Sequence, residues 1–157
     1  MSLIGLPETF RMAVFNSTGI TISNSAGEKL PTVSGRRVRF DSTGTLSYEA
    51  AVFTFLSASV HSAGVNIGNN SYVVGSTLSN TLSNWLGGEF LFSAGTLSNA
   101  SGNVTLYLEV SPDGGATWPS PASANGAGGG MVVAVIGFAS TATASTASTT
   151  RVQGFEL

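Results

Sequence analysis

Cysteine is missing from this chain, which excludes disulfides, thiolate zinc sites and iron–sulfur clusters. Stability has to come from apolar packing, backbone hydrogen bonds or a partner chain. Charge is nearly as scarce. Only 9% of residues are Asp, Glu, Lys or Arg, against about 25% in an ordinary soluble domain. Ser, Thr, Asn, Gly and Ala fill the gap, and so neutral a surface fits packing against other subunits, or work outside the cytoplasm, better than life as a free monomer. From Ala50 to Thr150 there is no Lys or Arg, and the only acids are Glu89, Glu109 and Asp113. Five of the six basic residues lie at or before Arg39. With a net charge of −2 and no large basic cluster, nucleic acid is not an expected partner.

Long apolar runs are absent too. The most apolar stretch, Met131 to Ala139, falls short of the roughly 20 residues a membrane helix needs and reads as a buried strand. Met1 to Pro7 lacks the length and basic flank of a signal peptide, so no membrane partner is expected. His61 is the only histidine and has no second metal ligand nearby, so it reads as a structural or surface residue rather than a base or ligand.

What is present, over 157 residues, is one domain's length of strand-like segments. The clearest stretch is Gly102 to Pro119. Val104, Leu106, Leu108 and Val110 alternate with Thr105, Tyr107 and Glu109, the pattern of a strand with one buried face. Ser111-Pro-Asp-Gly-Gly115 then stops it, because proline has no amide proton for a ladder and Asp-Gly-Gly favours a tight turn with positive φ. Asp113, Gly114 and Gly115 are expected to form the turn of a β-hairpin and Trp118 to clamp it.

Along the rest of the chain, residues 1–11 read as an N-terminal arm and 12–157 as a single domain. Met12 to Phe15, the Asn16-Ser-Thr-Gly19 turn and Ile20 to Ser23 predict a first hairpin. In Arg36-Arg-Val-Arg-Phe-Asp41, Arg37, Arg39 and Asp41 share one strand face while Arg36, Val38 and Phe40 share the other. Arg36, Arg37 and Arg39, with Arg11, are the candidate partner contacts, either as a basic stripe docking an acidic surface or as a solvated strand face. Leu46 to Val60 predicts a strand centred on Val52 to Leu56, with a short helix over Tyr48 to Leu56 as the alternative. Leu78, Leu82 and Trp85 read as anchors of a connection or short helical turn. Ser62 to Asn84 is Ser-, Asn- and Gly-rich with one short apolar segment at Ser71 to Val74, strands are expected at Glu89 to Ser93 and Arg151 to Leu157, and Pro119 to Gly130 reads as an exposed loop.

No catalytic, metal or cofactor site is expected. A Ser–His–Asp centre would depend on His61, and no strained Gly-x-Ser-x-Gly turn occurs. Paired carboxylates would have to come from Glu89, Glu109 and Asp113, the last two on or beside one exposed hairpin. Phosphate-binding and calcium loops are likewise missing.

Ser111-Pro-Asp-Gly-Gly-Ala-Thr-Trp118 fits the Asp-box pattern Ser-x-Asp-x-Gly-x-Thr-Trp, which marks a hairpin rather than a catalytic centre. The longer string, with alternating strand before it and a small-residue loop and strand pair after it, resembles the β-sandwich structural proteins of tailed bacteriophage particles over residues 88–157. The resemblance implies a non-enzymatic virion protein, assembled in the host cytoplasm, with the major capsid protein or other virion proteins as partners.

The expected fold is all-β, an antiparallel β-sandwich or jelly roll of eight to ten strands with long Gly/Ser-rich loops, or a barrel. Val104, Leu106, Leu108, Val110, Val133, Val135 and Phe90 are its core candidates. The leading functional expectation is a capsid decoration or cement subunit forming a symmetric homo-oligomer such as a trimer. The second is a neck, tail or baseplate adaptor or fibre-attachment protein. The third is a secreted carbohydrate-binding module with Trp85, Trp118 and Tyr107 as its stacking platform.

Overall fold

The computed structural model describes residues 6–22, 31–56, 66–81, 85–94, 97, 100–118, 130–138 and 149–154, some positions in the strands by their backbone alone. Ten strands lie in this part of the chain and, among the described residues, there is no helix. They form two antiparallel sheets. The first holds β1 (Thr9–Ser17), β5 (Ser71–Val74), β6 (Leu78–Ser79), β8 (Gly102–Val110) and β9 (Met131–Phe138), in the order β5-β1-β8-β9 with β6 also on β1. The second holds β2 (Thr32–Phe40), β3 (Leu46–Tyr48), β4 (Phe53–Leu56), β7 (Gly87–Ala94) and β10 (Thr149–Gly154), in the order β10-β7-β2-β3 with β4 also on β2.

The centre of the first sheet is the β1–β8 pair, which runs in register from Phe10↔Val110 to Ser17↔Asn103. On one face Phe10, Met12 and Val14 meet Val104, Leu106 and Leu108, all buried. Val33 of β2, Trp85, Ile136 and Leu97 belong to the same apolar cluster, so residues of both sheets share one core. Each such side chain contributes about 1.5–3 kcal/mol by leaving water. At the start of β8, Gly102 has φ 98°, and a Cβ there would lie 2.3 Å from the Ser17 carbonyl oxygen. Only glycine lets the two strands close at that end.

Several expectations change. Among the described residues the first hairpin does not form: β1 begins at Thr9, inside the expected arm, and takes β5, β6 and β8 as partners, while Ile22 makes an isolated bridge to Ile67 and Ser23 lies outside the described residues. The described part of the Leu46 to Val60 stretch, residues 46–56, holds β3 and β4, with the expected strand rather than the alternative helix at Phe53–Leu56. The second face of β8 is not solvated either, because Thr105, Tyr107 and Glu109 are buried. Tyr107 packs on Tyr72 at 5.6 Å between ring centroids, and Tyr72 on Phe15 at 5.0 Å, a cluster assembled from three strands. Val110 and Val135 are exposed rather than core. The stretch expected as a buried strand at Met131 to Ala139 is β9, an outer strand in the sheet order with Met131 and Val132 exposed. His61, Leu82 and residues 119–129 of the expected loop lie outside the described residues.

Candidate functional site

The Ser111–Trp118 segment is a turn built by its own residue types, but it is not the turn of a tight hairpin: the next strand among the described residues is β9, which begins at Met131 and pairs with β8 from Leu108. Asp113 Oδ1 accepts hydrogen bonds from the Ser111 hydroxyl (2.8 Å) and the Thr117 amide (2.7 Å), and Oδ2 accepts from the Thr117 hydroxyl (2.7 Å). Ser111 Oγ in turn accepts from the Gly115 amide at 2.7 Å, and Trp118 Nε1 donates to the Gly115 carbonyl at 3.0 Å. Gly114 and Gly115 have φ 69° and 103°, the left-handed region in which glycine is unstrained. These side-chain bonds all close within eight residues, and the Ser111 amide ties the turn to the Thr9 carbonyl of β1 at 3.0 Å.

Those donors hold the Asp113 carboxyl down from 3.8 to about 2, the Thr117 hydroxyl contributing most. A carboxylate with a lowered folded pKa adds stability that is complete above its unfolded value and fades as pH falls through its folded one. The turn should therefore keep its full contribution above about pH 4 and lose it as the pH falls toward about 2. A carbon-detected NMR titration of the Asp113 carboxyl checks this. A midpoint near 4 would mean that Thr117 and Ser111 do not hold the ionised form.

The four candidate arginines separate into two places. Arg11, on β1, pairs with its cross-strand partner Glu109: Nε donates to Oε2 at 2.6 Å, and the guanidinium lies 4.2 Å from the Trp118 ring centroid. Glu109 is fully buried, and Oε1 has no hydrogen-bond donor among the described residues. The carboxylate expected on an exposed hairpin is thus sealed beneath Arg11.

Arg36, Arg37 and Arg39 lie on the β2–β3 ribbon, whose turn is a second Asx device. Asp41 Oδ1 accepts from the Thr43 amide (2.8 Å), the Thr43 hydroxyl (2.6 Å) and the Thr45 amide (2.9 Å), contacts that keep its pKa low, the Thr43 hydroxyl first. The two faces differ in kind. On one, Arg37 makes a bidentate pair with Glu49 (Nε–Oε2 3.0 Å, Nη2–Oε1 2.5 Å), which lowers the Glu49 pKa. Its guanidinium lies 3.8 Å from the Phe53 ring centroid and 4.8 Å from that of Trp85, and Arg39 is also 4.8 Å from Trp85. Asn80 holds Trp85 from behind, accepting from its amide at 2.9 Å and donating to its carbonyl at 3.0 Å.

The other face carries Arg36, Val38 and Phe40 of β2 beside Leu46 and Tyr48 of β3, with Phe40↔Leu46 and Val38↔Tyr48 as register partners. Phe40 is 58% exposed, and Leu46 and Tyr48 are each 49% exposed. Arg36 has Glu89 as its register partner on β7. Sequence reasoning placed Arg36, Val38 and Phe40 on one face but missed Leu46 and Tyr48, which β3 brings beside them. The available signal was Asp41-Ser-Thr-Gly44, a turn sequence between two strand-like runs.

Arg37 and Arg11 are each occupied by a carboxylate, whereas Arg36 and Arg39 are exposed. Trp85 and Tyr107 are buried, and Trp118 is half-buried under Arg11, so the three aromatic residues do not make an open stacking platform. No protein-family model, no curated protein and no solved structure matches this chain.

Proposed function

We propose that this chain is a non-enzymatic structural subunit of a tailed-phage particle, a decoration or cement protein seated on the head. The observation that carries the reading is the Ser111-Pro-Asp-Gly-Gly-Ala-Thr-Trp118 string, closed on itself as a scaffold turn at the end of β8. The resemblance to virion proteins rests on those residues. On this reading the two sheets are the layers of a β-sandwich, supported by Val33 of β2 packing in one apolar cluster with β1, β8 and β9. Scarce charge supports a surface made for protein contacts. Arg39, exposed and steadied by the Trp85 ring, is the cation that meets the major capsid protein.

A cryo-electron microscopy map of purified particles tests the assignment. Many copies spread over the capsid lattice are expected. Confinement to the neck, tail or baseplate would transfer the protein to an adaptor role, and absence from the particle would sink the virion reading altogether.

A further inference from the structure

We infer that the outer face of the β2–β3 ribbon is where two copies of this chain pair, through a two-fold contact centred on Val38. The inference does not depend on the assignment to a particle. Phe40, Leu46 and Tyr48 form a continuous exposed apolar surface on two adjacent strands, the composition of an interface centre rather than of a monomer's scattered exposed residues. The ribbon is also ordered in advance. Asp41 closes its tip, and the Arg37–Glu49 pair and Trp85 hold its reverse face, so pairing has little backbone freedom left to remove there.

A second copy is the occupant because the face is complementary to itself. Arg36 and Phe40 lie on one side of β2, two residues to either side of Val38. A two-fold axis through Val38, across the strands, sets Arg36 of each copy against the Phe40 ring of the other and packs the two sheets face to face about 10 Å apart. Arginine on an aromatic ring is a contact this chain already makes at Arg11–Trp118, Arg37–Phe53, Arg37–Trp85 and Arg39–Trp85.

Analytical ultracentrifugation of the full chain over a concentration series tests the pairing. The unaltered protein should sediment as a dimer in equilibrium with monomer. Arg36→Glu alone and Phe40→Arg alone should each weaken the dimer by about tenfold or more. Combined in one chain they should restore it, because opposite charges then face each other across the axis. Within a chain these positions are four residues apart on a strand, about 13 Å, too far to pair with each other. Leu46→Glu is a further disrupting variant should either single substitution unfold the protein. A monomer at every concentration, a trimer, a dimer indifferent to the single substitutions, or no recovery in the combined variant would each overturn the inference.

Discussion

Arg11→Ala is expected to destabilise the protein by about 3–5 kcal/mol, because it leaves the Glu109 carboxylate buried without its counter-charge. The cost arises from environment more than from the attraction lost. Glu109 is fully buried in the middle of a sheet, one oxygen is held by Arg11 at 2.6 Å, and the other has no donor among the described residues. Removing the guanidinium also uncovers one face of Trp118. For a chain of this length the melting temperature should fall by about 10 °C or more. The informative comparison is Arg11→Met with Glu109→Leu. That pair removes both charges and keeps the volume, and should cost less than Arg11→Ala alone, in line with other buried ion pairs replaced by apolar side chains. Denaturant unfolding of the two single variants and the double variant checks this. A double variant as unstable as the sum of its parts would mean that the pair is not coupled, and that Arg11 acts through its packing on Trp118.

How far such features were legible in the sequence depended on how many residues they needed. The Ser111–Trp118 turn needs only its own eight residues, and its bonds follow from residue type and spacing. Burial of Tyr107 needs Phe15 and Tyr72, brought beside it by β1 and β5, so alternation in β8 could reveal a strand but not that both of its faces are covered. The Arg11–Glu109 pair joins residues 98 apart. Most instructive are Asn16-Ser-Thr-Gly19 and Asp41-Ser-Thr-Gly44. In each, the Asx Oδ1 accepts from the amide and hydroxyl of the Thr two residues on, and the Gly takes φ 81° or 80°. The second joins β2 to β3 as a hairpin, whereas the first directs the chain away to Ile22, which bridges Ile67. The same local chemistry determines the turn in both places. The strand that pairs afterwards is selected by the core, where Ile22 and Ile67 are both fully buried.

Asn16 is where the first of these turns is tied to that core, and its replacement should have the second large effect. Its side chain is fully buried, with Nδ2 donating to the carbonyls of Ile20 (2.8 Å), Ile67 (2.9 Å) and Gly68 (3.1 Å), and Oδ1 accepting from the amide and hydroxyl of Thr18. Asn16→Ala strands the buried Thr18 amide, a loss of about 1–3 kcal/mol by itself, and leaves a void where the carboxamide was. A total of about 3 kcal/mol is expected, with the Ile22–Ile67 bridge loosened first. The Ile20, Ile67 and Gly68 carbonyls keep other donors, from the Thr18 hydroxyl and the Ile22 and Ser71 amides, which limits the damage. Asn16→Asp separates the two halves of the role. It keeps the acceptor for Thr18 but sets a carboxylate oxygen against three carbonyls, so at about pH 7 it should be at least as destabilising as alanine despite being nearly isosteric. Thermal unfolding ranks the variants, and amide hydrogen exchange at Ile22 and Ile67 reports the bridge. If Asn16→Asp were close to the unaltered protein, the donor side of the carboxamide would not be what holds the 66–70 segment to the end of β1.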